Sequence, residues 1–414
     1  MPDSPSTLSA RLGPLAEREF RLLFAGRVVS LAGSAIAPIA IAFAVLDLTG
    51  SASDLGLVLA AGWMPQIVFI LVGGVWADRL PRNVVMVGSN LLSGAAQGGV
   101  ALLLLTGRAE LWHLVALGVA RGVASSFFFP ASQGLVPQTV SPGRLQQANA
   151  LLRLSLNFTN VGGAAIGGLL VAGVGSGWAI AFDAATYLAS ASILSRMRIA
   201  ASARAGGRDF VRELREGWSE FRSRTWLWAV VVQAGIGNMV WTGGLLVLGP
   251  VIARDELGGA AVWGAILACQ SGGLVFGGLI ALRIRPQRML FVGTAALLLL
   301  APVLALLALG VPAVFVAGSA VLSGLGLELF SVFWDTSLQQ HVPLDVLSRV
   351  SSYDALGSFV AIPIGLSIAG PLSDAIGVHE TLWIAVAVQV AATLAVLAVR
   401  DVRELRRLDA SAPA

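Results

Sequence analysis

Apolar runs of about twenty residues or more, divided by short polar connections, recur along the whole chain. A hydrocarbon layer about 30 Å thick is crossed by about twenty helical residues rising 1.5 Å each. Twelve runs reach that length, at 20–46, 54–77, 84–106, 111–138, 147–174, 178–198, 226–252, 261–283, 289–309, 312–340, 348–373 and 379–399. Backbone amides find no water inside lipid, so each run is expected to be a helix. The period-two alternation that marks the strands of an outer-membrane barrel is missing. No small-residue cleavage site follows the first run, and no removable signal peptide is expected. The pattern predicts an all-α membrane protein of twelve transmembrane helices.

Composition narrows the chemistry. Of 414 residues, 56% are hydrophobic and 12% charged, where a soluble chain carries about 25% charged residues. All 27 basic residues are arginine. Without lysine there is neither a nucleotide-binding P-loop nor a Schiff base. Cys269 is the one cysteine, inside the eighth run, and His113, His341 and His379 are far apart in the chain. No disulfide framework, metal centre or cofactor is therefore expected, and the histidines are expected to bond at helix ends.

The placement of the arginines sets the orientation. With the N-terminus inside, only Arg108 and Arg254 fall in outer connections, and Arg27, Arg121 and Arg153 fall within runs; all the others are on the inner side. The positive-inside rule then predicts a bacterial-type cytoplasmic (inner) membrane protein with both termini cytoplasmic. The basic isoelectric point, ≈ 10.4, suits the anionic inner leaflet of the lipid bilayer, and no nucleic-acid partner is expected.

One long hydrophilic stretch, 199–225, separates six runs from six. In it Phe210, Leu214, Trp218 and Phe221 recur at helical spacing, opposite Arg212, Arg215, Glu216 and Arg222. This reads as an amphipathic helix on the inner leaflet, as one docked beneath the bundle, or as a plain linker. The expected organisation is a leader (1–19), an N-terminal six-helix bundle (20–198), the linker (199–225), a C-terminal six-helix bundle (226–399) and a tail (400–414). A constant shift lays Ser126, Phe128, Ser132 and Arg144 on Ser331, Phe333, Ser337 and Arg349, as parallel repeats would.

Gly73 to Met86 reads GGVWADRLPRNVVM, an acid and two arginines between apolar runs. Gly73 and Gly74 let a neighbouring helix approach closely, and Pro81 blocks helix continuation. Asp78, Arg79 and Arg82 either anchor on headgroups or make a contact present in one conformational state only, which would bias an equilibrium between states. The stretch resembles the loop 2–3 signature of the major facilitator superfamily, G-x-x-x-D-R-x-x-R, with Gly74, Asp78, Arg79 and Arg82 on its positions. Pro81 stands where glycine is usual, and Asn83 where a second basic residue is common. The matching stretch of the second half, GGLIALRIRPQRML, keeps Gly277, Gly278 and arginines but has no aspartate.

The stretch from Phe20, FRLLFAGRVVSLAGSAIAPIAIAFAVLDLTGSASDLGLV, is similar to the opening of the drug-antiporter branch that includes macrolide efflux proteins and the enterobactin exporter. GAAIGG, Gly163 to Gly168, resembles the antiporter motif of helix 5, with Ala164 in place of proline. Gly163, Gly167 and Gly168 would be its hinge. AGPLSDAIG, from Ala369, resembles the end of helix 11. The resemblance implies the major facilitator fold, two pseudo-symmetric six-helix bundles alternating access around a midplane cavity lined mainly by helices 1, 4, 7 and 10.

A charge at mid-bilayer costs roughly 2.5–3.5 kcal/mol on insertion scales, so each one calls for a partner or a water-filled cavity. Arg121, in LGVARGVASS, lies at mid-depth; its position resembles the helix-4 arginine of proton-coupled antiporters, against a structural role bonded to carbonyls. Glu328, in GLGLELFSVFWD, is the leading candidate to carry a proton. Asp183 and Tyr187, one turn apart, either pair with each other or bond to a neighbour, and Asp183 is a third coupling candidate. Trp63, Trp241 and Tyr187 are candidate cavity aromatics, and Asp335 and Asp354 are expected to be satisfied by loop contacts. Prolines at 38, 65, 250, 302 and 363 are expected to loosen their helices.

The expected function is secondary transport, coupled to protons, exporting a hydrophobic or amphipathic small molecule such as a drug, a macrolide-like compound or a siderophore. The expected working form is a monomer. A facilitator or importer on the same fold is the alternative, followed by a non-transporting receptor or assembly protein. An enzyme is not expected, because no nucleophile–base pair or metal-binding pair lies within the runs.

Overall fold

Helix formation follows the apolar runs closely. A computed structural model describes residues 13–77, 81–199 and 218–408, with twelve helices long and apolar enough to cross a membrane among them. They are α1 (Arg18–Thr49), α2 (Ala52–Ala77), α3 (Arg82–Leu105), α4 (Leu111–Leu135), α5 (Leu145–Val174), α6 (Ser176–Leu194), α7 (Thr225–Leu257), α8 (Ala260–Arg283), α9 (Met289–Ala308), α10 (Ala313–His341), α11 (Arg349–Ile376) and α12 (Val378–Ala398). A short helix, α13 (Arg400–Glu404), follows. The chain forms two compact units, Met1–Ala44 with Ala61–Ala205, and Val45–Ala60 with Gly206–Ala414.

In the first unit α3 packs on α4 and α6, and α1 on α5 and α6. Small residues make these approaches possible: Gly94 of α3 lies against Leu188, and Gly122 of α4 against the backbone of Gly62. Polar groups join α3 to α6 inside the apolar packing. Asn90 donates to Ser190 at 2.7 Å, and one heptad further on Gln97 donates to Asp183 at 2.6 Å. One end of the unit is closed by a cluster of Phe20, Leu23, Met86, Leu135, Leu152 and Leu194.

In the second unit α8 and α10 cross through facing glycines, with Gly273 and Gly277 against Val321 and Leu325, and Gly324 against Gln270. Helix α7 meets α11 in the same way, Gly235 facing Gly357 and Gly243 facing Gly365. This unit takes in the end of α1 and the start of α2. There Arg254 donates to the Leu46 carbonyl at 2.9 Å, and Ser53 to Asp374 at 2.6 Å. An apolar cluster of Trp226, Leu227, Val230, Trp334, Leu338 and Val350 packs one end of the unit, where α7 and α11 begin and α10 ends. Phe221 is buried and Trp218 stacks on it, both against Tyr353. This end of the linker is therefore docked on α11, whereas Phe210 and Leu214 lie outside the described residues.

Four of the prolines sit where a helix departs from regularity. α1 is interrupted at Ala35–Ile36 ahead of Pro38, and α11 at Val360–Ala361 ahead of Pro363. α9 tightens over Leu297–Leu300 before Pro302, and α7 widens into π turns over Gly243–Leu248 before Pro250. A proline has no N–H to offer the carbonyl four residues earlier and crowds it, so the preceding turn must change its bonding. Pro65 of α2, Pro130 of α4 and Pro371 of α11 lie instead inside stretches of unbroken helix.

Candidate functional site

In the first unit the mid-span ionisable residues converge. Asp183 of α6 is fully buried, and Oδ2 accepts from Gln97 of α3. Its other oxygen, Oδ1, is buried without a hydrogen-bond partner and lies beside Gly33 of α1, where a β-carbon would overlap Asp183 and Thr186. One turn on, the Tyr187 hydroxyl accepts from Ser34 at 3.0 Å and lies within electrostatic reach of Arg121 of α4. Arg121 lies beside Gly62 of α2 and close enough to Asp183 for their charges to interact. Its Nε is buried without a partner. Five helices thus enclose one acid, one base, a phenol and two neutral bonding groups. The interruption of α1 at Ala35–Ile36 falls next to Ser34, and Gly163 and Gly167 of α5 pack directly on it.

The second unit holds a cavity of ≈ 490 Å³ bounded mainly by α7, α10 and α11. Glu328 and Asp335 of α10 and Asp354 of α11 all line it. Glu328 and Asp335 are two helical turns apart on one face, about 10 Å along the axis. Asp354 accepts from the Trp334 indole at 3.0 Å and from Ser358 at 3.1 Å. Aromatic rings form much of the wall: Trp241, Trp334, and Phe330 stacked on Trp334 with ring centres 6.1 Å apart. The amide oxygens of Gln233 and Gln389, two nearly inaccessible side chains on the same wall, are buried without partners. Among the described residues the lining is rich in acceptors and contains no basic one.

This geometry places residues singled out in the sequence and alters the reading of two, Asp335 and Asp354. Asp335 and Asp354, assigned to loop contacts, instead line the cavity, because α10 and α11 turn those faces inward. Asp183 and Tyr187 bond to neighbouring helices rather than to each other. Glu328 belongs to the second unit, its stem packed on Gly277 of α8, and Arg121 to the first. Of the aromatic candidates, Trp241 lines the cavity, Tyr187 belongs to the Arg121 cluster, and Trp63 is half-buried on α2. Gln97, Gln233, Gln389 and Asn238 had not been singled out.

Of the loop 2–3 signature, Asp78 and Arg79 lie outside the described residues, as does the side-chain environment of Gly74. Arg82 opens α3 and donates to the Gly134 carbonyl at the end of α4, where a cation satisfies an otherwise unpaired helix end. Gly168 lies in α5, which runs unbroken through the glycine motif. The histidines do bond at helix ends, His113 capping α4 and His379 Nδ1 donating to the Ala308 carbonyl, 2.9 Å away.

A family model described as transmembrane secretion effector matches residues 9–413. Macrolide efflux protein A of Streptococcus pyogenes is 25% identical over 402 residues, covering 94% of this chain and 97% of that protein. Multidrug efflux pump Tap of Mycobacterium tuberculosis (strain ATCC 25618 / H37Rv) is 27% identical over 401 residues, 94% of each. Among solved structures, the nucleoside transporter NupG superposes with a TM-score of 0.73 at 12% identity, over 92% of this chain and 98% of that one. A bacterial homologue of the iron transporter ferroportin, in an inward-facing state, gives 0.71 at 18% identity, over 92% and 98%. At those identities the structural likeness concerns the fold.

Proposed function

From the premise that the chain belongs to the transmembrane secretion effector family of the major facilitator superfamily, and is a multi-pass membrane transporter, we propose that it exports amphipathic small molecules carrying positive charge in exchange for protons. The observation that carries this reading is the cavity of the second unit. Three carboxylates offer acceptors to an ammonium group, and tryptophan faces attract cations while covering apolar surface. Relatives named as macrolide and multidrug efflux pumps support the direction of transport and the breadth of substrate.

In this reading Glu328 and Asp354 hold the cationic group, Trp241 and Trp334 its apolar body, and a proton competes with the substrate for the same carboxylates. Competition of that kind couples the two without direct contact between them, since a carboxylate neutralised by a proton no longer attracts a cation. The Arg121–Asp183–Tyr187 cluster is assigned the second protonation step, next to the interruption of α1. Asp78, Arg79 and Arg82 act in gating on the cytoplasmic side, where both termini lie, and access alternates between the two faces.

Reconstituted protein in sealed vesicles tests this directly. With the pH gradient directed to drive exchange, a lipophilic amine should be moved against its concentration, and collapsing the gradient should stop accumulation. Glu328→Gln should lose gradient-driven accumulation while still permitting substrate exchange. Equal flux with and without the gradient would rule out proton coupling. Unaltered accumulation by Glu328→Gln would remove that carboxylate from the mechanism.

A further inference from the structure

Apart from the transport cavity, the second unit holds a smaller one of ≈ 340 Å³, between the end of α8, the start of α9, the last turns of α10 and the segment after α13. Arg285 and Arg407 stand on its lining. Arg407 is held in place, its backbone N–H donating to the Gln287 carbonyl at 2.9 Å and its guanidinium to the Arg285 carbonyl at 3.4 Å. The next residue, Leu408, donates to Gln340 Oε1 at 3.2 Å, and His341 Nε2 meets the Arg406 carbonyl at 3.1 Å. The segment after α13 is thus folded onto the unit by bonds to the α8–α9 connection and to the end of α10.

The opposite wall is apolar. Met289 and Phe333 belong to a buried hydrophobic cluster, with Val332 packed against it, and Ile284 continues that wall outward. Thr336 and Gln340 add neutral bonding groups. Around the mouth, Arg283, Arg288 and Arg403 are exposed, while Glu404 is taken up by Arg400 at 3.0 Å. Arg283 ends one apolar span and Met289 begins the next, so the mouth lies where hydrocarbon gives way to headgroups.

We propose that this cavity binds the headgroup of an anionic phospholipid, its phosphodiester between Arg285 and Arg407 and its glycerol end on the apolar wall. Guanidinium groups bind phosphate oxygens in pairs, and the volume falls in the range of about 300–1,000 Å³ usual for small-ligand sites. An apolar wall beside two arginines suits a lipid; a free anion would have no use for it. Binding would link Arg285 to Arg407 and so favour the docked position of the segment after α13. The inference is independent of what the protein transports.

Labelled phosphatidylglycerol titrated into the full-length protein in phosphatidylcholine nanodiscs tests it. The pair Arg285→Gln/Arg407→Gln should weaken binding about thirtyfold, roughly a factor of five for each arginine. The control pair Arg403→Gln/Arg288→Gln, outside the cavity, should weaken it far less. Equal loss in both pairs would mean diffuse surface charge and overturn the site, as would unchanged binding in the first pair. Full displacement by soluble glycerol 1-phosphate would also overturn it, since the occupant would then be a free phosphate ester. If the glutamine pair does not fold, Arg285→Lys/Arg407→Lys decides: charge kept but the paired geometry lost should give a partial loss, and wild-type binding counts against the proposal.

Discussion

Removing the amide of Gln97 would leave Asp183 sealed in the first unit with neither oxygen hydrogen-bonded. A buried carboxylate that loses its hydrogen-bond donor costs about 1–3 kcal/mol or more, so Gln97→Ala should lower the thermal unfolding midpoint of the purified protein. Adding Asp183→Asn should recover more than half of that loss, because no charge then remains to be buried. Recovery of nothing would show that the loss came from packing and not from the stranded carboxylate. Arg121, Asp183 and Glu328 were legible in the sequence because each charge within an apolar run is costly and must be justified. The glutamines were not, although Gln97, Gln233 and Gln389 lie equally deep; an amide costs less to insert, and its importance emerges only when a partner on another helix is known. Asp335 carried a usable signal in its two-turn spacing from Glu328, which puts both on one face. Asp354 carried none, since only the rotation of α11 decides what it faces.

Helix spans were readable to within a few residues because lipid enforces length and apolarity together. Prolines at 38, 250, 302 and 363 foretold where their helices deviate, through the missing donor, whereas Pro65, Pro130 and Pro371 lie in unbroken helix. Close helix crossings were harder to read, because neighbouring glycines look alike in the sequence and differ only in what they face. Gly162 and Gly163 make the point: a β-carbon on Gly162 meets nothing within contact range, while one on Gly163 would overlap Ala35 of α1. Gly162→Ala should therefore stabilise α5 by up to about 1 kcal/mol through backbone entropy. Gly163→Ala should destabilise by about 1–3 kcal/mol through overpacking. Gly272 and Gly273 on α8 form a second such pair, open and closed respectively, and should give the same contrast in sign. Thermal unfolding of the four single variants measures this, and equal effects within each pair would contradict the crossings described.

At the level of the whole molecule, the transport reading fixes which part of the electrochemical gradient can be used. If one monovalent cation leaves for each proton that enters, no net charge crosses the membrane. The membrane potential then does no work on the exchange, and only the pH difference drives it, each unit of pH sustaining about a tenfold substrate gradient. A neutral substrate carried by the same exchange would move one charge per cycle. A potential of 100 mV would then contribute about 2.3 kcal/mol, or about fiftyfold. The acidic lining of the second unit, with Glu328, Asp335 and Asp354 and no basic residue, favours the first case. In vesicles with equal pH on both sides, an imposed potassium diffusion potential should therefore leave the accumulation of a permanently charged aromatic monocation unchanged, whereas a pH gradient at zero potential should drive it. Accumulation that follows the potential at equal pH would mean that net charge is carried through the cycle, and the carboxylates could not be exchanging one proton for one cation.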